Sequence, residues 1–165
     1  MPKKQKSESD SASKIKGTLL DDRNRQLLQL LHADPRLSMS ELARRVQMSA
    51  PAVSERVQRL EEAGIIAGYR LEVDPRALGL PLAAFVRIRP MPGQLAKVAE
   101  LAQRTPEVVE CHRITGEDCF LLKVHVADVQ ALEQTLDRFL AYGQTTTSIV
   151  QSSPVPARAL PLPTG

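Results

Sequence analysis

The side chains able to ligate or react fall in two stretches, one around residues 111–119 and one over 44–59. The first holds Cys111, His112 and Cys119. These are ligand types that zinc takes, but a closed structural site needs four donors and no CxxC pair is present, so no metal is expected. A thiolate–imidazole nucleophile fails on geometry, because adjacent residues on a strand point to opposite faces and keep Cys111 from His112. Cys111 and Cys119 flank one predicted hairpin almost symmetrically, which leaves a reversible disulfide open. Two inert, half-buried thiols are the plainer reading.

The second stretch has a different chemistry. Glutamine suits the edge of adenine, glutamate that of cytosine, and arginine that of guanine or a phosphate. Val53, Val57 and Leu60, spaced by four and three, predict the buried stripe of a helix. Ser49 precedes that helix, and Pro51, Ala52, Ser54, Glu55, Gln58 and Arg59 then share its outer and flanking faces. Arg44, Arg45 and Arg56 are better placed for backbone phosphates than for bases. Double-stranded DNA is the partner these side chains fit. A helical subdomain whose polar face is merely wet has the same pattern, so residue types alone leave both readings open.

Three helices must position these faces. Asp21 is the predicted N-cap of the first, with Leu27, Leu28 and Leu31 at helical spacing before Asp34-Pro35 stops the run. Ser38-Met39-Ser40-Glu41 is a capping-box pattern that opens a short second helix with Leu42, Ala43 and Val46 inward. Gln47-Met48 links it to the third, capped by Ser49. Pro51 is tolerated in the first turn, and Gly64 ends the helix after Ala63. Helices joined so tightly cross steeply, and Ala43 is small where they meet. This is a helix-turn-helix pattern, with one end of the last helix free to enter a major groove.

Beyond Ile65 the texture changes. Residues 65–73 read as extended, and Asp74-Pro75, Gly79 and Pro81 punctuate a connector. Strands are predicted at 82–89, 108–114, 119–126 and 145–151, with helices at 95–104 and 129–140. The order strand-helix-strand-strand-helix-strand is that of a ferredoxin-like fold, making the chain α+β. Between the middle strands lies Thr115-Gly116-Glu117-Asp118, a second candidate site. Gly116 permits close backbone approach, and Glu117 and Asp118 offer carboxylates to an ammonium group. A plain hairpin turn with solvated acids reads the same way. The predicted organisation is a disordered basic tail over 1–17, a DNA-binding domain over 18–68, a linker strand and connector over 69–81, a ferredoxin-like domain over 82–152, and a Pro-rich tail over 153–165.

Composition bounds these readings. Of 165 residues, 42% are hydrophobic and 25% charged, which is ordinary for packed cores. Aromatics make up 3% and Trp is absent, which argues against a base-stacking platform for single strands or RNA. No apolar run approaches the ~20 residues of a membrane span. The basic start has no apolar segment after it and is not a secretory signal, so a cytoplasmic, nucleoid-associated protein without membrane contact is expected. Five of the 22 basic and two of the 19 acidic residues lie in the first 17 positions, leaving 17 of each beyond. The net charge of +3 therefore belongs to the tail. A plain solvated terminus is the simpler reading of it, although such an arm also suits non-specific phosphate contact.

The residues together resemble a known family. Leu20-Asp21, Leu27-Leu28, Leu31, Glu41-Leu42-Ala43, Ser49, Val53, Arg56-Val57, Arg59-Leu60-Glu61, Gly64-Ile65-Ile66 and Tyr69 are similar in type and spacing to the Lrp/AsnC (leucine-responsive/asparagine, feast/famine) regulators. The likeness resumes at Asp74-Pro75, Leu78-Gly79, 115–118, Leu121-Leu122-Lys123-Val124 and 146–150, covering roughly residues 19–152. It implies a winged helix-turn-helix, a ferredoxin-like sensing and dimerisation domain, dimers assembling to octamers, and pseudo-palindromic operators. It also implies a small-molecule effector, an amino acid or related metabolite, and no other cofactor. By resemblance the effector lies at Gly116, Glu117 and Asp118, with Gln144, Thr145 and Thr146 as weaker candidates.

Three positions depart from the family pattern. Asn24 stands where Asp is common, Gln47 where the turn commonly has Gly, and Cys119 where Asp follows the Gly turn. Positive φ at Gln47 would cost about 1 kcal/mol relative to Gly. The change at Cys119 bears on which effector is taken. Two other classes stay open at this stage. A small enzyme on the ferredoxin-like domain needs a convergent acid, base or nucleophile set, and none is found. A protein-interaction module needs only the helices.

Overall fold

The computed structural model describes residues 19–158 and 160–161. The predicted basic tail over 1–17 lies outside the described residues. The described residues form two compact units: one over 19–71 together with 157–158 and 160–161, and one over Glu72–Pro156.

The first unit is built from helices α1 (Asp22–Ala33), α2 (Met39–Val46) and α3 (Ala50–Glu62). Each start is fixed by a side chain. Asp21, Ser38 and Ser49 accept from the N–H groups of Asn24, Glu41 and Ala52, satisfying donors that have no partner within the helix. Leu27, Leu42, Val53 and Leu60 are fully buried, and Leu28, Leu31, Ala43, Val46 and Val57 nearly so. Burying one such Leu or Val stabilises by about 1.5–3 kcal/mol, and these positions are the predicted stripes. Only half of the capping box forms. The Glu41 N–H reaches Ser38 Oγ at 3.2 Å, while the Glu41 carboxylate turns to Arg44 and Arg45. Gln47 does adopt the left-handed conformation, φ 55° and ψ 50°, which turns the chain from α2 into α3.

The second unit holds β1 (Leu82–Pro90), α4 (Leu95–Arg104), β2 (Val108–Arg113), β3 (Phe120–Val126), α5 (Val129–Leu140) and β4 (Gly143–Ile149). The strands form one antiparallel sheet in the order β2-β3-β1-β4, the ferredoxin-like arrangement. Ala84, Val86, Ile88, Phe120, Leu122, Val124 and Val126 point to one face and pack with Val98 and Ala102 of α4 and Leu132 and Phe139 of α5. The alternate residues stand on the other face, where Phe85, Arg87, Arg89, Gln144, Thr146 and Ser148 are exposed.

Three expectations need correction. The linker strand predicted within 69–81 is no strand: its alternating residues find no partner strand, and Tyr69, Leu71 and Val73 stay exposed. The last strand begins at Gly143, two residues before the predicted start, because Gly143 pairs with Pro90 where a Cβ would stand 2.5 Å from the Arg89 carbonyl oxygen. Cys111 and Cys119 do not face one another. Cys111 lies opposite Leu122, and the Cys119 carbonyl accepts from Ile114, so the strand register withdraws the disulfide.

Candidate functional site

The outer face of α3 carries the residues predicted for DNA. Ser49, Pro51, Ser54, Glu55, Gln58 and Arg59 are exposed, and Ala52 is half-buried. Support comes from beneath, through the buried Val53, Val57 and Leu60. Ser49 caps the N-terminus of the helix, and helix N-termini favour phosphate. Four of the polar side chains on this helix pair along it. Gln58 Nε2 donates to Glu62 Oε1 at 2.8 Å, and Arg59 forms an ion pair with Glu55 four residues earlier.

Arg44 and Arg45 are exposed and share Glu41. Arg44 binds both carboxylate oxygens, at 3.0 and 2.7 Å, and Arg45 Nε binds one at 2.8 Å. The hydrogen bonds from Arg44 and then Arg45 pull the Glu41 carboxyl down to about 2, so it stays ionised at any physiological pH.

Arg56, also predicted among the phosphate contacts, is held within the helical unit. Its guanidinium turns toward α1, Nη1 lying 2.7 Å from Asp21 Oδ2 and 3.0 Å from Asn24 Oδ1. Position 56 adjoins the buried Val57 and so falls on the flank of α3 next to α1, where a carboxylate and an amide oxygen wait. Sequence reasoning missed this tie. Its signal was a polar residue at 24 inside an apolar spacing, an Asn that is 3% exposed.

At one end of the sheet the structure gathers most of the second candidate site around a residue the sequence did not single out. Arg89, near the end of β1, reaches Glu117 Oε2 at 2.7 Å and Asp118 Oδ1 at 3.3 Å. Its cross-strand neighbour on β4 is Gln144. Gly116 has φ +109°, a conformation L side chains rarely adopt, and so needs glycine. Thr146 pairs with Arg87 on the same open face as Arg89, whereas Thr145 pairs with Ile88 on the helix-covered face. Thr145 therefore leaves the group, since neighbours on a strand face opposite ways.

Nothing convergent attends the remaining reactive groups. Burial pushes the Cys111 thiol up, which reduces its thiolate fraction. Among the described residues no three His, Cys, Asp or Glu side chains form a metal-binding group. A hollow of about 440 Å³ on the helical unit, between Arg23, Gln26, Arg45 and Gln47, is lined by none of the α3 reading residues.

The first unit is thus a helix-turn-helix, and the unit that follows it in the chain is ferredoxin-like. Residues 20–67 match the family described as winged helix-turn-helix DNA-binding, and residues 83–160 that described as Lrp/AsnC ligand binding domain. The chain is 36% identical to the HTH-type transcriptional regulator LrpC of Bacillus subtilis, over 81% of this chain and 92% of LrpC. It is 42% identical to LrpA of Mycobacterium tuberculosis over 72% and 80% of the two chains. A solved structure of the feast or famine regulatory protein Rv3291c, complexed with L-methionine, superposes with TM-score 0.79 at 37% identity, covering 86% of this chain and 98% of that one. The chain belongs to the Lrp/AsnC family of DNA-binding transcription regulators.

Proposed function

We propose that the chain binds an operator as a dimer, placing the outer face of α3 from each copy in successive major grooves, and that an α-amino acid modulates that binding. The observation that carries the DNA half is the exposed row Ser54, Gln58 and Arg59, held rigid by the buried Val53, Val57 and Leu60. Arg44 and Arg45 reach flanking phosphates once released from Glu41. Two recognition helices related by a two-fold axis read half-sites one or more helical turns apart. We read 18–68 as the DNA-binding domain and 82–152 as the sensing and assembly domain.

For the effector, a zwitterion fits the Arg89 end of the sheet: its ammonium meets Glu117 or Asp118, its carboxylate meets Arg89, and Gln144 and Thr146 line the approach. The L-methionine complex of the related regulator supports this ligand class. The open sheet face, with Phe85 41% exposed, supports self-association, and octamers follow from the family likeness alone. No helix among the described residues is long and apolar enough to cross a membrane. A cytoplasmic, non-enzymatic role accords with relatives that are transcriptional regulators.

The test is binding of the purified chain to fragments of its own upstream region against scrambled duplex, at two salt concentrations, with and without a panel of amino acids. Gln58→Ala with Arg59→Ala is expected to weaken selective binding about 30-fold or more, since two base contacts at about 1–3 kcal/mol each sum to at least about 2 kcal/mol. Binding indifferent to sequence that survives both substitutions would sink the assignment of α3.

A further inference from the structure

The apolar stripe of α3 fixes which side of the helix is buried, but not its rotation to within a few degrees, because hydrophobic contact is non-directional. Hydrogen bonds are directional, and α3 has one set running back to another helix. Arg56 Nη1 donates to Asp21 Oδ2 at 2.7 Å and to Asn24 Oδ1 at 3.0 Å, across 35 and 32 residues of chain. Both acceptors are themselves held. Asp21 Oδ1 accepts from the Asn24 N–H at 2.8 Å, as the N-cap of α1, and Asn24 Nδ2 donates to the Leu19 carbonyl at 2.7 Å. Asn24 is 3% exposed, so its rotamer is set by packing as well. An Asp at 24 would lose the donor to Leu19, which an amide alone supplies.

We propose that Arg56, gripped by Asp21 and Asn24, is a positioning residue that sets the rotation of the reading helix and thereby aims Ser54, Gln58 and Arg59. This rests on the reading of α3 as the DNA-recognition helix. The network makes Arg56 an aiming device, not one more phosphate contact. Burial alone would raise the Asp21 carboxyl, but the Asn24 N–H and the Arg56 guanidinium together hold it below its usual range, consistent with a well-made pair.

The experiment compares the full chain with Arg56→Ala, Arg56→Lys, Asp21→Asn and the Asp21→Asn/Arg56→Ala pair, at a temperature below every variant's melting point. Asn caps a helix as well as Asp does, so Asp21→Asn removes the charge and keeps the cap. Arg56→Ala is expected to weaken operator binding about tenfold, within the range of coupling energies for contacting residues. Its binding to scrambled duplex and its salt slope stay those of the starting chain. Arg56→Lys restores part of the loss, and the double variant binds no more weakly than Arg56→Ala. A salt slope lower by about one, with both duplexes weakened alike, identifies a phosphate contact and overturns the proposal. Strictly additive losses at 21 and 56 overturn it too. Residual dipolar couplings of α3 amides relative to α1 give a readout that needs no DNA. They are expected to report a rotated α3 in Arg56→Ala, and unchanged couplings overturn the proposal. Absence of selective binding by the unsubstituted chain counts against the DNA reading alone, while the couplings still decide the role of Arg56.

Discussion

Helix α3 and the Arg89 end of the sheet both present polar side chains on a rigid support, but they assemble them differently. On α3 the exposed groups come from one continuous segment and pair along it at helical spacing, Gln58 with Glu62 and Arg59 with Glu55. At the sheet end Arg89 comes from β1, Gln144 from β4, and Glu117 and Asp118 from the turn before β3. The side chains of a helix site therefore stay grouped as long as the helix forms, and only their aim depends on a neighbour, through Arg56 and α1. A sheet site depends on three registers being right at once. The first tolerates change around it, and the second inherits every error in strand pairing.

The largest expected effect comes from the strand junction beneath Arg89. Gly143→Ala puts a Cβ against the backbone at Arg89 and Pro90, and overpacking of this kind costs about 1–3 kcal/mol. Thermal unfolding should fall by about 4–8 °C per kcal/mol. Hydrogen exchange should show lost protection in β1 and β4, with α1 to α3 unchanged. Protection lost equally in both units would break the contrast between them.

A smaller effect of opposite sign is expected in the helical unit. Gln47 occupies the left-handed region at φ 55°, so Gln47→Gly should stabilise the unit by about 1 kcal/mol, read as a raised denaturation midpoint. No gain at all would mean that the Gln47 side chain offsets its own backbone strain.

The smallest concerns charge. The folded Glu41 carboxyl lies near 2 against an ordinary 4.5, a depressed acid. Its contribution is therefore complete above the ordinary value and lost as pH falls through about 2. An NMR titration of the Glu41 side chain should show that midpoint, and Arg44→Ala with Arg45→Ala should return it toward 4.5. A midpoint that ignores both substitutions would leave the shift without its cause.

The same contrast explains what was legible in the sequence. The three helices, their caps at Asp21, Ser38 and Ser49 and their inward residues followed from local spacing, because each decision is made within a turn or two of chain. The βαββαβ order was legible for the same reason. Arg89 was not, because its partners sit 28 and 29 positions away and only the β1–β3 register brings them close. The tie of Arg56 to α1 was not legible because periodicity places a residue on a flank without saying what waits there. Residues 65–73 read as extended, with Tyr69, Leu71 and Val73 alternating as in a strand, but pairing belongs to two segments and the spacing of one cannot supply it.

The carboxylates beside the reading helix have a kinetic consequence. Glu41 pairs with Arg44 and Arg45, Glu55 with Arg59 and Glu62 with Gln58; if those side chains meet DNA as proposed, docking on any duplex is an exchange of anions and not a simple gain of contacts. On a random sequence phosphates replace carboxylates with little net benefit, and the complex dissociates quickly. On the operator, base contacts are added to the same exchange and lengthen the residence time. Under that proposal the acidic partners would act as a filter on dwell time, keeping the search for the operator from stalling on the competing sites that outnumber it.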